Sequence, residues 1–304
     1  MAKYLVTGGV GFIGHHVVAF LIERGDTVIV IDNQAGGYVT NRYIDGANYL
    51  QYTLGELRHQ KLIEEACAGV EYVIHLAALP RVQASIDDPF GTAQANVMGT
   101  VAILTAAYKA GVKRVVFASS SSVYGDSNKL PLHEGMTPSP MSPYARHKFL
   151  GEQFCQDYAL APFNLSTVCL RFFNVYGPGA DPNGAYALVV AKFLEQKRKE
   201  EKLTITGDGK QTRDFTHVSD VVRAILLAAE SDNVGLGEVI NIGGGKQISV
   251  NEVAERIGGE TEYIPARLEP HDTLADISKA ERWLGWKPDI SFADGMHDLV
   301  TRNS

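Results

Sequence analysis

Cysteine is scarce in this chain, with three (Cys67, Cys155 and Cys169) among 304 residues and none in a CxxC pair. That scarcity argues against a disulfide framework and a zinc centre, and it suits buried thiols in a reducing compartment. Positive charge is also in deficit: 28 Lys and Arg stand against 35 Asp and Glu, a formal net charge of -7. A protein whose main partner is nucleic acid carries a basic footprint that this chain lacks as a whole, while a local basic pocket for one small phosphate ligand stays open. No apolar run approaches the roughly 20 residues a membrane span needs. The chain enters an apolar strand pattern by Tyr4, without the charged region, apolar run and small-residue cleavage site of a signal peptide. A cytoplasmic chain clear of membranes is the expectation. Histidine lacks metal spacing: His15 and His16 are neighbours, His75 closes an apolar run, and no HExxH occurs, so no metal is expected. With 45% hydrophobic and 21% charged residues, the remainder is an ordinary globular composition of one or two domains.

What is present is an alternation. Short apolar runs (Tyr4-Leu5-Val6, Val28-Ile29-Val30-Ile31, Tyr72-Val73-Ile74-His75, Val115-Val116-Phe117-Ala118, Ser166-Thr167-Val168-Cys169-Leu170) are separated by helical stretches near 13–24, 97–110 and 144–158. Strands that are apolar almost throughout suit burial on both faces, so the class is α/β with a parallel sheet. After about residue 175, Pro178, Gly179, Pro182 and Gly184 break the pattern, a charged helical tail runs through 196–202, and shorter elements follow. No repeat or long low-complexity tract is evident.

Two constellations carry chemistry. Gly8, Gly11 and Gly14 lie between the first strand and first helix, where missing side chains permit a tight turn, close approach of a pyrophosphate to backbone N–H groups and close helix–strand packing. Asp32 then ends the second strand, where a carboxylate accepts from ribose hydroxyls and repels a 2′-phosphate, so the expected cofactor is NAD rather than NADP. Farther on, Tyr144 and Lys148 are one helical turn apart and share a face. An ammonium held near a phenol favours phenolate, which makes Tyr144 a candidate general base for a redox enzyme.

With these motifs the chain resembles the extended short-chain dehydrogenase/reductase superfamily, specifically its nucleotide-sugar epimerases and dehydratases, over nearly its whole length. The likeness rests on an ordered set: the glycine loop, His75-Leu76-Ala77-Ala78, Asn96, Ser119-Ser120-Ser121-Ser122-Val123-Tyr124-Gly125, Tyr144 with Lys148, Arg171-Phe172-Phe173-Asn174-Val175-Tyr176-Gly177-Pro178, Gly207-Asp208-Gly209 through Arg213-Asp214-Phe215, and Leu284-Gly285-Trp286-Lys287-Pro288. It implies a Rossmann-type doubly wound sheet with a smaller, interleaved C-terminal substrate lobe. Residues 1–175, with a later contribution from about 210–245, would bind the dinucleotide, and 176–304 mainly the nucleotide sugar. The resemblance assigns Ser120, Tyr144 and Lys148 to catalysis. It gives NAD to Gly8, Gly11, Phe12, Ile13, Gly14, Asp32, Asn33, Glu56, Leu57, Leu76, Ala77, Ala78 and Asn96, with Tyr144 and Lys148. The sugar nucleotide falls to Ser120, Ser121, Ser122, Asn174, Arg213, Arg267, Glu269 and Thr273. It also implies a homodimer formed through the helices near 97–110 and 144–158.

The reaction depends on the two positions after Ser120. Related dehydratases place Asp and Glu there, and some decarboxylases use a Glu in this loop; here Ser121 and Ser122 stand instead. The resemblance is therefore strongest to UDP-hexose 4-epimerases. Thr273 stands where a bulky aromatic would exclude N-acetyl groups, and 181–187 resembles epimerases of N-acetylhexosamines, so UDP-GlcNAc/UDP-GalNAc interconversion is expected, with activity on UDP-glucose/UDP-galactose. UDP-glucuronate 4-epimerisation, net nucleotide-sugar oxidoreduction and a non-catalytic NAD- or nucleotide-sugar-binding regulator stay open. Two departures stand out: Glu56 replaces the usual aspartate at the adenine segment, and Arg267-Leu268-Glu269 is one residue shorter than the family's uridine-side pattern and lacks its glycine.

Overall fold

The computed structural model describes residues 1–34, 44–50, 59–80, 82–127, 129–182, 188–266 and 270–302. The expectations for Glu56, Leu57, Arg267, Glu269 and 183–187 lie outside the described residues.

The strand Lys3–Thr7 is central to the sheet. The chain pairs Thr27–Ile31 beside it and Asn48–Leu50 beyond, then crosses back so that Tyr72–His75, Arg114–Ser120, Thr167–Phe172 and Leu236–Ile242 extend the sheet the other way, all in parallel. Parallel neighbours need long crossovers, and helices supply them. Side chains alternate between faces. Tyr4 and Val6 pack with Val17, Leu21, Val221 and Ile225, from the helices Phe12–Glu23 and Val218–Glu230. Leu5 packs on the other face with Ile63, Ile103 and Phe117, under the helices Gln60–Cys67, Gly99–Ala110 and Pro143–Ala159. Burial on both sides explains the unbroken apolarity of these strands. The strand order reverses between Lys3–Thr7 and Tyr72–His75, and a crevice opens at the carboxyl ends of such strands.

The helix expected from residue 97 begins at Gly99, after a wider π-type turn over Gln94–Met98 that contains Asn96. The charged tail is helical only as Val189–Arg198; the chain then turns, and Leu203–Thr206 pairs with Thr261–Ile264. A second core of Tyr176, Phe193, Leu203, Ile205, Phe215, Val253, Ile257 and Phe292 lies under this part. The two parts are interleaved, because the sheet strand Leu236–Ile242 and fully buried Trp286 return to the first core. Among the described residues no helix is long and apolar enough to cross a membrane.

Candidate active site

The glycine loop is as tight as its spacing suggests. Gly8 has φ +72°, and a Cβ there would lie 2.8 Å from the Ala77 nitrogen. At Gly14 a Cβ would stand 2.1 Å from the Gly8 carbonyl, so the helix Phe12–Glu23 can approach only without one. Gly11 caps that helix without a side-chain hydrogen bond, which leaves first-turn N–H groups, together with half-buried Phe12 and Ile13, at the crevice. Asp32 directly follows its strand; its carboxylate accepts from the Val10 N–H (3.0 Å) and the Gln34 N–H (2.7 Å), and so anchors the glycine loop. Two carboxylate oxygens offer about four acceptor sites, so two amides leave capacity for ribose hydroxyls. Exposed Asn33 follows. Opposite, Leu76, Ala77 and Ala78 are half-buried, and the Ala77 N–H donates to Thr7 Oγ1 (3.2 Å). Buried Asn96 spends its amide on both the N–H and the carbonyl of Leu79 (2.7 and 3.1 Å), so its side chain clamps the loop after Ala78.

Ser142 and Pro143 start the second functional helix, Pro143–Ala159: the serine hydroxyl accepts from the Ala145 N–H (3.1 Å), and proline at the first position suits its fixed φ. Tyr144 and Lys148 stand in its first two turns. The Tyr144 N–H, an orphan of the first turn, donates to Ser85 Oγ (3.0 Å), a fully buried hydroxyl that in turn donates to the Val82 carbonyl. Ser85 is a supporting residue that the local sequence did not reveal. Lys148 is buried, donates to the Ala118 carbonyl (2.7 Å), and stands 5.1 Å from the Phe117 ring centre and 5.9 Å from that of Tyr144. Ser120 ends the strand Arg114–Ser120; its Oγ receives Ser122 N–H (3.2 Å) and Ser122 Oγ (2.9 Å), and it lies near enough to the Tyr144 phenol to act against the effect of that phenol's burial. Half-buried Ser121 completes the turn. Thus Ser120, Tyr144 and Lys148 come together at the ends of the middle strands.

Their electrostatics correct one expectation. Burial pushes the Tyr144 phenol up to about 12, opposed by the Ser120 hydroxyl, so the Lys148 ammonium does not by itself bring it to neutrality. Burial also brings Lys148 down to about 8, against the pull of Glu152. Below them His75 joins Thr7 Oγ1 (2.7 Å) and Thr100 Oγ1 (3.1 Å), with burial and Lys148 holding it at about 3. The imidazole is therefore neutral. Glu152 accepts from Ser119 Oγ (2.5 Å) and takes both Nε and Nη2 of Arg171 (2.7 Å each), a bidentate pair with each residue 2% exposed.

In the second part of the chain, Asn174 donates to the Asp214 carbonyl (3.1 Å), and Arg213 Nη1 donates to the carbonyls of Thr212 and His271 (2.9 and 3.0 Å). Thr273 is 7% exposed, and its hydroxyl accepts from the Asp214 N–H (3.2 Å). The sequence motif containing Asp214 concealed a hub: this wholly buried carboxylate accepts from the N–H groups of Gly244, Gly245 and Ala275, while burial pushes it up to about 7. His217 caps Val218–Glu230 by accepting from the Ser219 N–H. Among the described residues no group of three or more His, Cys, Asp or Glu is placed to hold a metal ion.

A family model described as the NAD dependent epimerase/dehydratase family matches residues 4–243. A putative UDP-glucose 4-epimerase of Methanocaldococcus jannaschii is 39% identical over 305 residues, covering 97% of this chain and 96% of that protein. Among solved structures, UDP-glucose 4-epimerase of Thermotoga maritima with UDP-glucose superposes with a TM-score of 0.92 at 37% identity, covering 98% of this chain and 97% of that one. UDP-N-acetylglucosamine 4-epimerase of Methanobrevibacter ruminantium, in complex with UDP-N-acetylmuramic acid, gives 0.89 at 32% identity over 99% of each chain.

Proposed function

Because this chain belongs to the NAD-dependent epimerase/dehydratase family, we propose that it inverts C4 of a UDP-N-acetylhexosamine, interconverting UDP-GlcNAc and UDP-GalNAc, with UDP-glucose and UDP-galactose as further substrates. The observation that carries epimerisation over dehydration is the serine turn: Ser121 and Ser122 follow Ser120, and the nearby carboxylate of Glu152 is locked by Arg171 and Ser119. An elimination needs an acid and a base free to move protons; this turn offers hydroxyls. Support for the N-acetylated sugar comes from Thr273, a small residue beside Arg213 and Asp214 where an aromatic ring would take up space.

Bound NAD supplies a reversible hydride acceptor for C4 and, when oxidised, a positive charge in the site, so the cycle has no net oxidation. The glycine loop and Asp32 hold the dinucleotide, and Lys148 contributes its ammonium. Tyr144 Oη takes the proton of the C4 hydroxyl as that carbon becomes a carbonyl, and returns it when the opposite face is reduced. Ser120 Oγ, close to the Tyr144 phenol and steadied by Ser122, holds the oxygen on which the proton moves. Asn174 and Arg213 grip the diphosphate while the hexose turns, which concentrates binding energy on the part of the substrate that does not react.

The test is incubation with UDP-GlcNAc, UDP-glucose and UDP-glucuronate, followed by NMR with and without added NAD. UDP-GalNAc forming without stoichiometric NADH supports the proposal. Turnover confined to UDP-glucuronate removes the sugar assignment, and accumulating NADH removes epimerisation. Thr273→Tyr should lower turnover of the N-acetylated sugar more than that of UDP-glucose, with the melting temperature measured alongside; an equal fall would discredit the pocket-size argument. The proposal includes a cytoplasmic homodimer. Three buried free thiols suit a reducing compartment, and Phe90 (80% exposed), Met98 and Tyr108 on the outer helices, with Leu160 (61%) just past the end of Pro143–Ala159, leave apolar surface exposed. Light scattering giving a monomer would remove the dimer.

A further inference from the structure

Beneath the reacting groups lies a carboxylate that touches none of them. Glu152 is one turn beyond Lys148 on the helix Pro143–Ala159 and is 2% exposed. It binds Ser119, the residue before Ser120 on the strand Arg114–Ser120, and Arg171 on the next strand, Thr167–Phe172. One side chain thus ties the strand end carrying Ser120 to the helix carrying Tyr144 and Lys148. An isolated carboxylate would not be tolerated at that depth; the bidentate guanidinium and the serine hydroxyl make it tolerable. Stability alone is a weak reason for such a pair, because a well-packed apolar substitute often serves as well.

We infer that Glu152 is a positioning residue for catalysis, holding Ser120 in register with the Tyr144–Lys148 face and setting a buried carboxylate one helical turn from the Lys148 amine. The surroundings of Lys148 single this carboxylate out. On its own helix stand Tyr144, Glu152 and Cys155, the strand Tyr72–His75 brings a neutral His75, and behind Glu152 are Arg171 and Cys169. Burial drives Lys148 toward its neutral form, and Glu152 is the first of the groups that oppose it. The Ala118 carbonyl accepts from the ammonium but brings no charge. Arg171 stays bound to Glu152, and its guanidinium carbon lies 4.5 Å over the Tyr124 ring.

The inference rests on the epimerase reading for its kinetic arm only, so two arms separate the failures. In the first, lysine labelled with 13C at Cε is titrated by NMR in wild type and Glu152→Gln, with Lys148→Arg assigning the signal; no turnover is needed. The Lys148 midpoint should fall by about one pH unit or more in Glu152→Gln, a tenfold change in acid dissociation. Because removing one partner of a buried pair destabilises, Glu152→Met/Arg171→Met replaces the pair with apolar side chains and should show a fall in the same direction, smaller than in Glu152→Gln because the Arg171 cation leaves with the carboxylate. In the second arm, kcat on whichever UDP-hexose the wild type converts should drop more at pH 8 than at pH 6.5 in both variants. An unmoved Lys148 midpoint in the foldable variants would overturn the inference even if activity were lost. A wild type inert on every UDP-hexose would instead count against the function reading, with the titration still deciding the role of Glu152.

Discussion

Burial treats Tyr144 and Lys148 alike in one respect: each is pushed toward its uncharged form, the phenol up to about 12 and the ammonium down to about 8. A base so strongly protonated at rest acts only when cationic charge offsets burial, which makes the pair interdependent. Tyr144→Phe removes the proposed proton acceptor while keeping the ring, so turnover should fall by about 10²- to 10⁴-fold, while calorimetry still detects the UDP-sugar binding. Near wild-type turnover would strip Tyr144 of its role. His75 gives a stability prediction whose sign is fixed. The folded state holds the imidazole neutral down to about pH 3, whereas the unfolded chain takes up a proton near about 6.5. Its contribution is therefore complete above pH 6.5 and is lost progressively as the pH falls from there toward 3. Urea midpoints between pH 8 and pH 4 should drop more steeply for wild type than for His75→Gln, and parallel curves would contradict the assignment.

At the level of elements, the loop from Gly8 to Gly14 is a constraint of space. Gly14→Ala would drive a Cβ onto the Gly8 carbonyl, a backbone atom that cannot swing aside. Overpacking of this kind costs about 1–3 kcal/mol, and the displaced loop should lose its dinucleotide; purified Gly14→Ala should carry less NAD than wild type and melt lower. This loop was legible in the sequence because glycine spacing encodes sterics directly. The central strands were legible because burial on two faces leaves an unbroken apolar signature, as in Tyr72–His75. The part after residue 175 was harder to read. Val175–Tyr176 and Thr216–His217 are two residues each and exist only by pairing with one another, so no local periodicity marks them. Ser85 reaches Tyr144 across 59 positions, and nothing in the local sequence pairs Glu152 with Arg171, 19 positions on, until the fold brings both inside. Asn96, Asn174, Arg213 and Thr273 were picked out by pattern, and their side chains make backbone contacts that pattern alone does not disclose.

For the molecule as a whole, the interleaving of the two cores decides how it unfolds. Trp286 comes from the last fifth of the chain, yet it is wholly buried among the residues that pack on the sheet, and its indole N–H donates to the Asp220 carbonyl (2.9 Å). The Asp220 carboxylate then accepts from the N–H groups of Asp289 and Ile290 (3.0 Å each) and pairs with Arg223. The C-terminal segment is thus fastened to the helix Val218–Glu230, which itself lies on the sheet that carries the glycine loop. A C-terminal segment attached in this way cannot melt without opening the core on the large sheet. Trp286→Ala should therefore cost about 3–5 kcal/mol and lower the melting temperature of the entire chain in a single transition, with near-ultraviolet dichroism and loss of NAD following the same curve. Two separated transitions, with the dinucleotide retained through the first, would show that the lobes are independent and that the shared core does not couple them.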